Sequence, residues 1–411
     1  MRSILYSLLL IITRVFLPVL GLFNPKLNLF YKGRKNLLNN LKKVLSHNSS
    51  PIIWVHCSSV GEFEQGLPVI ERLKQTYEGW KVLVTFFSPS GYEAVNNELV
   101  DFKFYLPLDT SANAKEFIDS VNPKMALFIK YEFWYNYLKE LQKREIPTFS
   151  VSSIFRPTQI FFKPFGKWNR RMLKAFTYFM VQDQQSLNLL KKIRLENAAI
   201  TGDTRFDRVL KIKEDPTRFP EIEAFCQNKK VFIIGSLRPE DDDVVFNLVK
   251  THPELKFLIA PHEITEKHIQ KIEQSVGSSI RHSMLQEADT NKQTLIIDSI
   301  GKLSRLYRLA DFAYVGGGFS DGIHNILEPA VYNLPVFFGN SYYLKYKEAV
   351  DLTDMGGAFP VANASQISDK LKKLEDENYL QQTKKSIEKY VNTNRGAAEK
   401  VVALIEKMAE K

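Results

Sequence analysis

With 411 residues the chain is too long for one ordinary core and suits two domains. Its 44% apolar and 25% charged residues are ordinary for a globular protein and set aside disordered and fibrous classes. Cys57 and Cys226, far apart in the chain, exclude a disulfide framework or a cysteine metal cluster and fit a reducing compartment.

The net charge of +10 is unevenly placed. Arg2, Arg14, Lys26, Lys32, Arg34, Lys35, Lys42 and Lys43 precede the first acid, Glu62, and leave only +2 for the rest of the chain. They accompany an apolar stretch over residues 1–23 that Arg14 and Pro18 interrupt, so neither half reaches the roughly 20 unbroken apolar residues of a spanning helix. No small-residue cleavage site follows it. The expectation is an N-terminal membrane-associated helix lying in one leaflet, with basic residues against anionic headgroups, at about 1 kcal/mol each. A single tilted span and a buried N-terminal helix are the alternatives. Residues 1–45 are read as this anchor.

From residue 51 short apolar runs alternate with amphipathic ones. Strands are expected at 51–56, 81–87, 125–129 and 148–152, with helices at 62–77, from 90, and at 133–144 between them. A charged stretch with Pro216 and Pro220 interrupts the pattern around 211–218. Five more strands follow, at 231–234, 256–260, 294–297, 312–315 and 335–338, and an amphipathic helix at 397–411 closes the chain. Such alternation implies an α/β fold of parallel sheets with helices on both faces. The domains are read as 46–210 and 211–411: two Rossmann-like, doubly wound halves facing a central cleft, with ligands at the carboxyl ends of strands.

The chemistry-bearing motifs follow strands. Ser58-Ser59-Val60-Gly61-Glu62 opens a helix, its small residues letting backbone turn tightly and approach a ligand. On spacing alone Glu62 reads first as an acid complementing the helix dipole, and second as a carboxylate pinned at a strand end. Glu132, after the third strand, is a second such acid or a surface partner of Lys130. Gly202-Asp203-Thr204-Arg205-Phe206-Asp207 combines turn chemistry with a cation able to neutralise phosphate or an oxyanion, or is a surface turn. In the second half, Gly235-Ser236 precedes a helix whose start can present amides to phosphate. Gly316-Gly317-Gly318 and Gly322 miss the dinucleotide-binding spacing by one residue, which weakens a nicotinamide site. The stretch from Gly322 through His324, Asn325, Ile326, Leu327 and Glu328 reads as a helix start for phosphate, with Glu328 on a ribose, or as a helix capped near Asn325. Finally, Arg156, Lys163, Lys167, Arg170 and Arg171 interleave with Phe155, Phe161, Phe162, Phe165 and Trp168. That pattern suits nucleic acid or lipid headgroup phosphates, and the apolar N-terminus favours lipid.

Together these motifs resemble the 3-deoxy-D-manno-octulosonic acid (Kdo) transferase family, bacterial enzymes that glycosylate the lipid A precursor. The residues carrying the resemblance are Ser-Val-Gly-Glu at 59–62, Gly-x-x-x-Phe-Asp at 202–207 and Gly-x-His-Asn-x-Leu-Glu-Pro at 322–329, within a match from the anchor to about residue 350. The resemblance implies a GT-B fold and inverting transfer without metal or cofactor. It implies CMP-Kdo as donor, a lipid A precursor (lipid IVA) as acceptor, and lipopolysaccharide core biosynthesis at the cytoplasmic face of the inner membrane. It further implies Glu62 as general base, Glu132 and Arg205 as transition-state support, and CMP contacts from Pro261, His262, Ile300, Gly301, Lys302, Asn325, Ile326, Leu327 and Glu328. Ser236, Gly317, Gly318 and His324 would join a phosphate loop; Arg156, Lys163, Lys167, Arg170 and Arg171 would meet acceptor or lipid phosphates, with no nucleic acid. The family usually has Lys for Arg205, Arg for His262 and Met-Gly-Glu for 300–302. Another GT-B enzyme using a UDP-sugar and a non-catalytic membrane-tethered lipid- or nucleic-acid-binding protein are the competing classes.

Overall fold

The computed structural model describes all residues except 1–5, 7–9, 11, 12, 14, 15, 17, 287–290, 321, 410 and 411. Most of the expected anchor before residue 18, Arg14 included, therefore lies outside the described residues, as does Asp321 of the glycine-rich loop. The chain divides into two compact units: 1–208 together with 395–411, and 209–394.

In the first unit, β1 (Ile52–Cys57), β2 (Lys81–Phe86), β3 (Phe102–Tyr105), β4 (Met125–Ile129), β5 (Thr148–Ser153), β6 (Tyr178–Val181) and β7 (Ala198–Ile200) pair in the order β3-β2-β1-β4-β5-β6-β7. All these pairings are parallel. β1 is buried along its length because both faces of the sheet are covered. Trp54 enters one apolar cluster with Phe117, Phe128 and Tyr137. Ile53, Val55 and Cys57 enter the other with Phe63, Leu67 and Ile70 of the helix Val60–Thr76.

The second unit repeats the plan with β8 (Val231–Leu237), β9 (Lys256–Pro261), β10 (Ser279–Arg281), β11 (Thr294–Ile296), β12 (Phe312–Val315), β13 (Val336–Gly339) and β14 (Ala358–Val361). Their parallel order is β10-β11-β9-β8-β12-β13-β14. In each sheet the chain reverses its direction of travel beside the first strand, between β1 and β4 and between β8 and β12. At such a switch point the loops leaving neighbouring strands part company and open a crevice at their carboxyl ends.

Three expectations about the domains are corrected. The helix 397–411, assigned to the second half, packs on the first unit: Ala398, Val401, Val402 and Ile405 complete the cluster against Val60–Thr76, and the Asp207 carboxylate accepts from Gly396 N (2.7 Å) and Ala398 N (2.9 Å). The expected interruption of the pattern around 211–218 is only partial, because the helix Arg205–Glu214 runs into it. The anchor does not extend to residue 45. Leu37, Leu41 and Leu45 of the helix Leu37–Leu45 are buried in the first unit's core. The Arg34 guanidinium, expected against headgroups, stacks 3.6 Å over Phe30 and donates to Leu106 O (2.9 Å) and Phe87 O (2.7 Å). What remains apolar and exposed near the start is Phe16, Val19, Leu20, Leu22, Phe23 and Leu29. Among the described residues no helix is long and apolar enough to cross a membrane.

Candidate functional site

The first unit's candidate site forms where β1 and β4 end. Ser59 caps the helix Val60–Thr76, its hydroxyl accepting from Glu62 N at 3.4 Å. The Glu62 carboxylate reaches back to accept from Ser58 N. This is a capping box shifted by one residue, so the dipole-complementing role read from spacing is realised. Gly61 lies in the first helical turn, without a positive φ and with open space where a side chain would project. Contrary to the expectation, it is not needed for the turn; it keeps the helix start uncovered.

The same carboxylate is chemically poised. Burial, then the charge of Glu132, raises the Glu62 pKa to about 7, against the pull of the Ser58 and Ser59 amides and Lys130. Glu132 shows the opposite outcome. Burial alone would raise it, but hydrogen bonds from His56, Ser58 and Trp134 hold it below the usual carboxylate range. Trp134 Nε1 donates to Glu132 Oε2 at 2.6 Å, and His56 Nε2 lies 3.2 Å from the same oxygen. Two neighbouring carboxylates with pKa values driven apart suit an acid–base pair, one ionised and the other able to take a proton near neutrality.

Cations gather around Tyr131. Lys130, in the left-handed region at φ 69°, places Nζ 5.3 Å from the ring centre, and the Arg156 guanidinium lies 5.8 Å from it. The charge of Arg205 also reaches the Tyr131 hydroxyl. Arg205 begins its helix just after Gly202 turns the chain at φ 97°, and Asp203 grips it through Nε (2.8 Å) and Nη2 (2.7 Å). Gln65 Nε2 donates to the other Asp203 oxygen at 3.1 Å. Glu62, Glu132, Arg205 and Arg156 thus fall in one unit; His56, Tyr131, Trp134 and Asp203 were missed. His56 falls at the end of an expected strand and Trp134 at the start of an expected helix, and no spacing signalled that they hold an acid.

In the second unit the glycine-rich elements converge at the other switch point. Ser236, at φ 54°, ends β8 beside Gly316, where a Cβ would meet Ser236 O at 2.2 Å. At Gly318 a Cβ would lie 2.4 Å from Gly339 O, so only glycine fits. The Asp241 carboxylate pins this loop, accepting from Gly317 N (2.8 Å), Arg238 N (3.2 Å) and the Tyr314 hydroxyl (2.8 Å). Pro261 ends β9, and His262, whose N donates to Leu237 O at 2.9 Å, stacks on His324 with ring centres 4.2 Å apart. Arg238 Nε donates to His324 Nε2 at 3.1 Å. The helix expected to carry His324 and Asn325 starts later, at Leu327, and has four residues. Asn325 sits in the preceding loop, accepting from Leu327 N (3.3 Å) and donating to Glu328 (3.2 Å). Ile326 and Leu327 are buried.

The 300–302 segment differs from its neighbours. Ile300 is 90% exposed, Gly301 has φ 88°, and Lys302 Nζ reaches Ser299 Oγ (3.0 Å) and His282 Nδ1 (3.3 Å). Among the described residues no three His, Cys, Asp or Glu side chains are grouped as metal ligands.

The basic–aromatic stretch is divided in its roles. Phe155 and Phe161 are core, and Arg170 is spent on the loop, donating to Phe161 O and Lys163 O at 2.8 Å each. Its expected part in phosphate binding is therefore corrected to a structural clamp. Ile160 and Phe165 are exposed, as are Arg156, Lys167 and Arg171, with Lys163 half-buried.

Residues 32–208 match the family model for 3-deoxy-D-manno-octulosonic-acid transferase (kdotransferase). A transferase of that name from Chlamydophila psittaci is 28% identical over 335 residues, covering 77% of this chain and 75% of its own length. The one from Haemophilus influenzae is 27% identical over 305 residues, covering 70% of each chain. Over most of its length the chain is thus similar to Kdo transferases. It is accordingly an enzyme, a glycosyltransferase. Among solved structures, the UDP-GlcNAc 2-epimerase of Neisseria meningitidis bound to UDP-GlcNAc covers 87% of this chain and 100% of its own, with TM-score 0.62 and 16% identity. A glycosyltransferase from Rickettsia africae covers 88% and 99%, with TM-score 0.58 and 12% identity. These two likenesses establish the fold alone, two parallel-sheet α/β units similar to GT-B glycosyltransferases.

Proposed function

We propose that the chain transfers Kdo from CMP-Kdo to a lipid A precursor, with inversion and without metal, and that Glu62 is the general base. The observation that carries this reading is the carboxylate pair at the β1/β4 switch point: Glu62 raised to about 7 beside an ionised Glu132. A base with that pKa is half-ionised near neutral pH, where proton abstraction is most effective. In the proposed step the acceptor hydroxyl oxygen bonds to the anomeric carbon of Kdo as its proton passes to Glu62. The bond from that carbon to the phosphate oxygen breaks, and CMP leaves with the electron pair.

An inverting transfer to an already good leaving group needs a base but no separate acid. Glu132 supports the positive charge developing on the sugar, and Arg205, steered by Asp203, supports negative charge. Ser236, Gly317, Gly318, His262, His324 and Glu328 are read as the CMP site, supported by their convergence on the β8/β12 switch point. Lys163, Lys167, Arg171 and Arg156 would meet acceptor or headgroup phosphates, and exposed Phe16, Leu22, Phe23 and Phe165 the apolar side of the cytoplasmic leaflet. The test is Glu62→Gln. It should bind CMP-Kdo as the wild type does, lose turnover by at least about 100-fold, and yield no Kdo-lipid by mass spectrometry. Wild-type-like turnover would remove Glu62 as the base, and tighter binding of UDP than of CMP would overturn the donor.

A further inference from the structure

His56 is fully buried, yet its imidazole contacts polar groups on both sides. It stands on β1 two residues after Trp54, so the two share a face of the sheet, and it is directly paired with Thr85 of β2. Behind it, Trp54 Nε1, which can only donate, gives its proton to Thr85 Oγ1 at 2.8 Å. His56 Nδ1 faces two oxygens of that residue, the Thr85 hydroxyl at 2.9 Å and the Thr85 backbone carbonyl, which only accepts, at 3.1 Å. In front, His56 Nε2 is 3.2 Å from Glu132 Oε2, an oxygen that as a carboxylate only accepts. The Glu132 carboxylate therefore calls for a proton on Nε2, whether or not Nδ1 also carries one toward the Thr85 carbonyl. Trp134 Nε1 lies 3.0 Å from Nε2 but closer, at 2.6 Å, to the carboxylate, which takes its proton. Phe128 and Trp134 pack edge-on against the imidazole with centres 5.9 Å away, fixing its plane.

We infer that His56 is a positioning residue: held from behind by Thr85, which Trp54 braces, it presents an Nε2–H to Glu132 and, with Trp134, fixes that carboxylate as the stationary partner of Glu62. The inference rests on the carboxylate-pair reading above and names the element that keeps the two acids unequal. In a dry site a hydrogen bond to the charged form of one acid is what decides which of two neighbours carries a proton. Without the Nε2–H, Glu132 would accept a proton in the range where Glu62 titrates. The two would then share it, and the fixed negative charge beside the base would be lost.

The test combines a spectroscopic and a kinetic readout on the full-length protein. Nitrogen-15 NMR of the histidine-labelled wild type, with the His56 signal assigned by its loss in His56→Gln, should show a protonated Nε2. A neutral ring protonated only at Nδ1 overturns the inference. His56→Leu should lower kcat tenfold or more with the KM for CMP-Kdo unchanged, and move the acid limb of kcat/KM to lower pH. His56→Gln, which keeps an N–H donor near the Nε2 position, should recover most of the loss. Should His56→Leu not fold, Thr85→Val carries the kinetic test and should give the same shifts in smaller measure. A folded variant with lowered Tm but wild-type kcat and pH profile would reduce His56 to a structural residue and sink the proposal. The NMR result does not depend on turnover. A wild type with Nε2–H intact but no sugar transfer would overturn the transferase reading and leave the hydrogen-bond chain standing.

Discussion

The two switch points use opposite means. At β1/β4 the working groups are side chains whose properties come from burial and partners: Glu62 lifted by burial and Glu132, Glu132 held down by His56, Ser58 and Trp134. At β8/β12 the surface is mostly backbone, brought close by glycines that nothing larger can replace and tied by Asp241. A site that moves a proton needs tuned acids. A site that receives a phosphate needs amides, open space and dipoles, and side chains would only obstruct it. The lesson is that the first site should fail through chemistry and the second through shape.

The largest effect that would break this contrast is Glu62→Gln, whose turnover loss should come with no loss of CMP-Kdo affinity; calorimetry of the variant checks the second half. Gly318→Ala should behave inversely. Its Cβ would be driven against Gly339 (2.4 Å to O, 2.5 Å to N), weakening donor binding tenfold or more and lowering stability by about 1–3 kcal/mol. The residual activity of that variant should keep the wild-type pH profile.

The acid limb itself is the third measurement. With ionised Glu62 as the proposed base, kcat/KM should rise with pH through an apparent pKa of about 7. A limb near 4.5 would show that the carboxylate pair is uncoupled in solution.

The same shift predicts a stability effect with a definite sign. Between pH 4.5 and about 7 folded Glu62 holds a proton that the unfolded chain has released, so stability falls as pH rises through this window. Glu62→Gln should therefore be more stable than the wild type at pH 8, by about 1–3 kcal/mol, and the gain should vanish below pH 4.5. Denaturant titrations at the two pH values check it. The smallest change expected is His262→Arg, which replaces the ring lying 4.2 Å from that of His324 with a fixed cation; CMP-Kdo affinity should tighten a few fold, read by the same calorimetry.

Much of this architecture is legible in the sequence where apolar runs are long. β1, β4, β8 and β12, which carry both switch points, are continuous hydrophobic stretches that placed the motifs following them, although spacing alone read Glu62 first as a helix-dipole acid. The strands not foreseen are short or lie toward the edges. β3 and β6 have four residues each, β10 has three, and β14 contains Pro360, which demotes a strand in any pattern-based reading. Glu62 was visible as a motif, but its raised pKa was not, since that depends on Glu132 across a strand pairing 70 residues away in sequence. His56 was invisible for a related reason: one imidazole in a run of apolar residues carries no periodic signal. The helix beginning at residue 397 misled because amphipathicity says that a face is buried and not against what.

That last helix has a consequence for synthesis. The first unit is finished by Ala398, Val401, Val402 and Ile405, which a ribosome makes after the whole of the second unit. Domains usually fold in the order in which they emerge. Here the unit begun first must wait, with one flank of Val60–Thr76 uncovered, while the unit begun second is complete. A fragment ending near residue 210 would present that flank permanently, so the Glu62–Glu132 pair cannot be isolated intact by trimming the chain at the apparent boundary.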